Sequence, residues 1–449
     1  MNFSNTMTTA QSRFLIFGLL LLLLTGCHSY ALDKAQVDIR KSFTAGDFER
    51  TQEQLEKFKK KNIYKSKDDV LYNLESGMVY HFAGKHDSST IFLSKAEAEI
   101  EENYTKSITR GITSFLVNDN KLAYDGEPYE DIYINAFNAL NYIHMQDFEG
   151  ALVETRRMAY KMEQLDIKIK GLVSAFAKSD SSGRVDWGDG KVNIQNSALS
   201  HYLASILYAK SGDIDDARIE FEKLGSALEE QSTISEFRKR PIEEFEYLKN
   251  PESYNVLLAG FSGQAPFKEQ EDVRVFGGDD NEENNDDFYL KFSFPTIHLY
   301  PSETYRVRAI INDSVKVPLN LIEEMDIISS MVYQAKQSII YGRALLRASF
   351  KAGGTKLISG AVRKEHKNLA GIIELLGFIA QETSEKADLR SWQTMPGSAW
   401  MHAIRLAPGQ HTIRIEYLSE YGHVLYFDEY NVNITNRTQL ELIESIYSN

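Results

Sequence analysis

The chain has 449 residues, 43% of them hydrophobic, with 64 acidic against 50 basic side chains and a net charge of −14. That is apolar material for two or three cores, and the acidic balance excludes general nucleic-acid binding, which needs clustered Lys and Arg to neutralise phosphates. The single cysteine, Cys27, excludes an internal disulfide.

The first feature in chain order is an apolar run from Phe14 to Leu24, interrupted only by Gly18 and preceded by Arg13, the only charge in the opening stretch. Such a run suits a signal-peptide core and is too short to cross about 30 Å of hydrocarbon. It ends in Leu24-Thr25-Gly26-Cys27, which resembles the lipobox of bacterial lipoproteins: an aliphatic residue, two small residues, then cysteine. The resemblance implies cleavage between Gly26 and Cys27, a lipid on the Cys27 thiol, and the bilayer as a partner through that lipid. Removing residues 1–26 takes away Arg13 and no acid, which moves the net charge from −14 to −15. His28 follows, with no Asp to suggest inner-membrane retention, so by analogy with enterobacterial sorting the expected location is the outer membrane, facing the periplasm. No later apolar run is long enough to span a bilayer.

Residues 27–250 form the first expected domain, built of helical hairpins. The clearest runs from Leu203 to Leu224, with Tyr208, the turn Gly212-Asp213, Ala217 and Phe221. A second has Gly77, Tyr80, Gly84 and Ala96; a third has Ala139, Tyr142, the turn Gln146-Asp147 and Ala151; the weakest has Gly46-Asp47, Leu55 and Phe58. These spacings resemble the tetratricopeptide repeat, in which small residues let two helices touch and an aromatic fills the gap. The turns at 46, 84, 146 and 212 lie 38, 62 and 66 residues apart, so the array is irregular. A loop at Ser179–Val192 interrupts it. His81 and His86 flank one turn and are expected to be solvated.

Residues 251–449 form the second expected domain. Val256–Phe261 and Val273–Phe276 read as short strands, and 277–287 as an acidic, solvated loop without the order of a calcium site. Tyr289–Phe294 and Tyr305–Ile311 read as strands, with Pro295 and Pro301 as breakers. Leu319–Tyr333, Gln337–Phe350 and Asn368–Thr383 read as helices, with Gly353-Gly354 as a helix stop. Trp400–Leu406, His411–Leu418 and Val424–Tyr430 close the chain as strands over 400–430, turned by Pro408-Gly409 and Tyr421-Gly422. The expected fold class is α+β: an irregular tetratricopeptide-like α-solenoid, then a β-sheet domain with inserted helices.

Several stretches together resemble a family of uncharacterised bacterial lipoproteins with a tetratricopeptide-like helical N-terminal half. They are Tyr133-Ile134-Asn135-Ala136, Glu154-Thr155-Arg156-Arg157, Asn196–Phe221, Gly263-Gln264-Ala265-Pro266, the helix holding Arg343 and Arg347, and Ala387-Asp388-Leu389-Arg390-Ser391-Trp392 to Pro396. The resemblance covers most of the chain and implies a cell-envelope lipoprotein with no established catalytic activity. Some similar lipoproteins assist peptidoglycan synthases, an analogy that transfers no residue.

No motif points to an enzyme, a metal or a cofactor. Gly353-Gly354-Thr355-Lys356 lacks phosphate-loop spacing and follows a helix. No His-Glu-x-x-His and no Gly-x-Ser-x-Gly is present. His402, His411 and His423 fall on the closing strands and could converge, although histidines so placed are more often packed or surface residues than zinc ligands. Lys336–Lys367 carries eight basic residues against Glu365 alone. Arg343 and Arg347, four apart, share one helix face. They either dock an anionic partner or are neutralised by this chain's own acids; the second is favoured in so acidic a protein. Trp392 plugs the seam between helix and sheet or, with Trp400, forms an exposed aromatic contact. The leading functional reading is a non-enzymatic envelope scaffold or assembly factor that binds a protein partner through its helical repeats. The alternatives are a glycan-, peptidoglycan- or ligand-binding module and a hydrolase with an unfamiliar site.

Overall fold

The computed structural model describes residues 30–110, 119–179, 187–234, 240–277, 288–351, 387–435 and 440–449. Gly26, Cys27, the acidic loop beyond Gly277, Gly353-Gly354 and the segment Asn368–Thr383 lie outside them, as do the side chains of residues 345–351, including Arg347. The protein is α+β, with a helical N-terminal half and a seven-stranded sheet.

The helical half is made of helix pairs: α1 (30–44) with α2 (Phe48–Lys60), α3 (Asp69–Phe82) with α4 (His86–Arg110), α5 (Pro128–His144) with α6 (Phe148–Ser179), and α7 (Ala198–Ser211) with α8 (Ile214–Ser232). Each pair reverses at a left-handed residue: Gly46 (φ 73°), Gly84 (72°), Gln146 (60°) and Gly212 (88°). Such a residue ends the first helix by bending the chain away from its axis. Asp47 and Asp147 then start the next helix by accepting from Arg50 N (3.1 Å) and Gly150 N (2.9 Å). Within the second pair, a Cβ at Gly77 would lie 2.4 Å from Leu93 Cδ2, so only glycine allows α3 and α4 to approach this closely.

The sheet has the order β8-β7-β4-β5-β6-β1-β9. Its strands are β1 (Val256–Ser262), β4 (Arg306–Ile311), β5 (Val315–Glu324), β6 (Ser398–Ile404), β7 (Gly409–Leu418), β8 (Val424–Ile434) and β9 (Glu441–Tyr447). All pairings are antiparallel except β1 with β9. The sheet rolls until its two ends meet. Tyr430 Oη of β8 donates to the Glu444 carbonyl (2.5 Å), Ser445 Oγ donates to Asp428 (2.7 Å), and the Tyr426 and Tyr447 rings stack at 5.2 Å. Val256, Leu258, Val307, Trp400, Ile415 and Tyr417 fill the roll. Separately, β2 (Phe267–Gly277) and β3 (Phe288–His298) form a two-stranded ribbon.

Three expectations are corrected here. Leu319 to Glu324 belongs to strand β5, and the helix α9 begins only at Met325, running unbroken to Lys351. Val317, Leu319 and Leu321 alternate onto the roll's interior, a two-residue period hidden by the helical pattern that follows. Pro295 lies inside β3 opposite Gln270 rather than ending it; in a two-stranded ribbon each strand keeps an unpaired edge, where a missing N–H is tolerated. The last strand, β9, lies beyond the closing strands read from the sequence.

The core does not break where helices give way to strands. One cluster runs from Leu32 and Phe43 of α1, through α3, α5 and α7, to Leu257, Ala259 and Phe261 of β1 and Leu442 and Ile446 of β9. Phe137 of α5 packs on Phe261 at 5.4 Å and on Trp392 at 6.2 Å. The first helices of the second, third and fourth pairs are thus buried against the chain's own C-terminal half. Each large side chain in that contact contributes about 1.5–3 kcal/mol of burial. Among the described residues, no helix is long and apolar enough to cross a membrane.

Candidate functional site

The stretch Asp388–Trp392 lies at the centre of the seam between helices and sheet. Its charged residues are paired with each other and with neighbouring carbonyls and carboxylates. The buried Arg390 guanidinium donates to Asp388 (2.6 and 2.8 Å), Asp68 (3.0 Å), the Asp119 carbonyl (3.0 Å) and the Leu122 carbonyl (3.2 Å). Burial alone would raise the Asp388 pKa; the adjacent Arg390 overrides it and holds the carboxyl at about 2. Trp392 is 1% exposed, with its backbone N–H on Glu130 (2.7 Å) and its indole N–H on Thr394 (3.1 Å). Trp400 is 4% exposed inside the rolled sheet, bonded to Ser262. Neither indole is an exposed aromatic contact. Trp392 is the plug of the seam and not a partner-binding residue, because its ring is packed on Phe137 and the core.

Beside Arg390 runs a second buried chain of charges. Glu127 takes Lys268 on one carboxylate oxygen and Lys336 on the other, both at 2.6 Å. Burial disfavours the Glu127 carboxylate, yet the two lysines hold its pKa at about 2. Its neighbour Glu130 is raised to about 7, first by burial and then by Glu127, and accepts from Tyr124, from Glu127 N and from Trp392 N. Arg343 pairs with Asp119 at 2.5 Å on the wall of a cavity of about 70 Å³ that Tyr104, Asp125, Phe176 and Lys336 also line. Lys336 and Arg343, two members of the basic segment, are therefore neutralised internally, by Glu127 and Asp119. The charges of this seam are paired within the chain, and their chemistry is that of a clamp.

The open surface lies on the second helix of the third pair. Along α6, the buried stripe is Met158, Met162, Leu165 and Ile169. Val153 (48% exposed), Tyr160 (64%) and Ile167 (63%) fall on the opposite side at seven-residue intervals, so they form one outward apolar stripe. A shallow groove of about 230 Å³ runs alongside, lined by Pro128, Ile132, Tyr160, Lys161, Gln164 and Ile167. Lys161 is fixed on its edge by Glu97 (2.5 Å) and Asp131 (2.6 Å). Val153, Tyr160 and Ile167 are missing from the sites expected from sequence, although their seven-residue spacing is a readable signal: the inner face already has its apolar set.

The histidines are also redistributed. His402, His411 and His423 do not converge, because β4 and β5 separate β6 from β7 and His423 lies in the β7–β8 turn. His402 is half-buried against Tyr247, and burial lowers its pKa to about 4. His81, expected in solvent, is 2% exposed and faces Glu444 of β9. The physical reason is that β9 covers this end of α3, which the local pattern around the turn does not reveal. Among the described residues, no three His, Cys, Asp or Glu side chains are placed to hold a metal ion. Comparison with protein-family models, with curated proteins and with solved structures finds no match for the chain.

Proposed function

We propose that this chain is a cell-envelope lipoprotein, anchored to the outer membrane through Cys27 and facing the periplasm, that serves as a non-enzymatic scaffold for a protein partner. On this reading the helix pairs are an irregular tetratricopeptide-like array, and the chain is kin to the bacterial lipoproteins it resembles. The lipobox at Leu24–Cys27 supports the anchor. The left-handed turns and the Gly77–Leu93 approach support the repeat.

The observation that carries the binding role is the contrast between the two faces of the array. A helical array offers a partner its unfilled face. Here α3, α5 and α7 are filled by the chain's own sheet, whereas α6 presents Val153, Tyr160 and Ile167 to solvent beside a groove. The partner surface is therefore the outer face, and a lipid anchor raises its effective concentration for partners on the same membrane.

The test uses the full-length lipoprotein isolated from envelope membranes after crosslinking. A stoichiometric partner is expected with the wild type and is expected to be lost in Tyr160→Glu and Ile167→Glu, whose stability changes by no more than about 0.5 kcal/mol. Mass spectrometry of the same material is expected to show a chain beginning at an acylated Cys27. Equal capture by the variants overturns the surface; an unmodified Cys27 thiol overturns the anchor.

A further inference from the structure

Where the second and third helix pairs meet β9, three histidines and a carboxylate form a clasp. Glu444 of β9 accepts from His81 Nε2 (3.3 Å), at the end of α3, and from His144 Nε2, at the end of α5. His86, at the start of α4, stacks on His144 with ring centroids 4.0 Å apart and planes 7° from parallel. Asn141 Oδ1 faces His81 Nδ1 (2.7 Å) and His86 Nδ1 (3.2 Å).

Hydrogen-bond logic assigns the protons. The Gly77 carbonyl can only accept, so Ser89 gives it its one hydroxyl hydrogen (2.7 Å). Ser89 Oγ must then accept from Asn141 Nδ2 (2.8 Å), which turns Asn141 Oδ1 toward the histidines. Both His81 and His86 therefore carry hydrogen on Nδ1. A neutral His81 would point a lone pair at the Glu444 carboxylate, so His81 is the imidazolium and Glu444 its counter-ion. Burial acts against this charge, yet Glu444 keeps the His81 pKa above its ordinary value, and the two facing histidines keep that of Glu444 well below the carboxylate range.

His86 is the exception. Its Nδ1–H is already used, and a second proton would place a cation face to face with His144 and 5.7 Å from the His81 ring. Burial first, then His144 and His81, lower its pKa to about 4. The other titratable groups facing the clasp are Tyr430 and Asp428 on β8. Tyr430 is bonded to the Glu444 carbonyl, and Asp428 is paired with Ser445 and Tyr426.

We propose that this clasp is a pH-operated latch: it joins α3, α4 and α5 to β9 near neutrality and is released in mild acid by protonation of His86 where it stacks on His144. The sign follows from linkage. A histidine whose folded pKa is depressed binds its proton more tightly in the open form, so the closed form loses ground as pH falls from the free imidazole value toward 4. His81, whose pKa is raised, works the other way: its contribution is complete at low pH and fades as pH rises through its folded value. The two limbs leave the latch strongest near neutrality, and the net loss on going from about pH 7 to about pH 5 is on the order of tenfold in the closed-to-open ratio. This holds whichever partner the outer face of α6 takes.

Hydrogen exchange of the intact protein at about pH 7 and about pH 5, corrected for intrinsic rates, reads the latch directly. Protection of 441–447 is expected to fall on the order of tenfold in acid relative to β4, and not to fall in His86→Phe, which keeps the stacked ring and loses the titration, leaving only the opposite limb of His81. Unchanged protection in the wild type overturns the proposal, as does an equal acid loss in His86→Phe. A histidine NMR titration of the wild type needs no variant to fold: a His86 midpoint near 4 supports the latch, and one near the free value of about 6.5 overturns it.

Discussion

At the scale of single residues, the decisive contacts are buried charges with full sets of partners. Arg390 is 3% exposed and joins the start of α3, the turn at Asp119–Lys121 and the segment entering β6. Removing one member of such a group strands the others, because the carboxylates remain buried while their attraction is gone. Arg390→Met leaves Asp68 and Asp388 without their common partner and is expected to cost about 3–5 kcal/mol in chemical denaturation. Replacing Arg390 by Lys preserves the charge but not the planar fork, and is expected to recover only part of the loss. A change below about 1 kcal/mol in the Met variant would show that the seam is held by apolar packing alone.

At the scale of elements, the hairpin turns set which helices are neighbours. Gly84 has φ 72° and nothing within 4 Å of where a Cβ would stand, so an added methyl group meets only its own backbone. Gly84→Ala is expected to destabilise by about 1 kcal/mol through left-handed strain alone, with the α3–α4 contact at Gly77 unchanged. A loss several times larger in thermal unfolding would mean that the turn also packs on something. Gln146 adopts the same conformation, and its side chain donates to the Leu440 carbonyl (3.0 Å), which ties the third turn to the chain just before β9. The turns thus do two jobs: they reverse the helices and deliver groups to the last strand.

At the scale of the whole molecule, helices and sheet share one core, and this decides what a partner can reach. The face of α3, α5 and α7 that a free array would offer carries Phe82 and Phe137 against Phe261. A fragment of residues 30–250 would expose that face to water. It is expected to lose cooperative unfolding and to bind a hydrophobic dye, as a collapsed chain without fixed packing does. A sharp, reversible transition in that fragment would show that the helices are independent of the sheet. The outer stripe of α6 belongs to the intact molecule in either case, and it is where the proposed scaffold role is open to test.

The helix pairs, their four turns and most of the strands were legible in the sequence, because each depends on near neighbours. A left-handed Gly or Gln before an Asp or Lys, a helical period or a two-residue alternation is a local demand on the backbone. The internal pairing of Lys336 and Arg343 was foreseeable in kind from charge balance, although their partners Glu127 and Asp119 were not. Two local patterns misled: the β5–α9 junction, where strand and helix periods run together, and Pro295, whose tolerance depends on having an open ribbon edge. What would cover α3 and α5 could be settled only when β1 and β9 closed over them. That long-range contact buried Trp392 and His81 and assembled the Glu444 clasp from residues three hundred or more positions apart. Burial and protonation depend on what the rest of the chain brings alongside, and no local spacing encodes that.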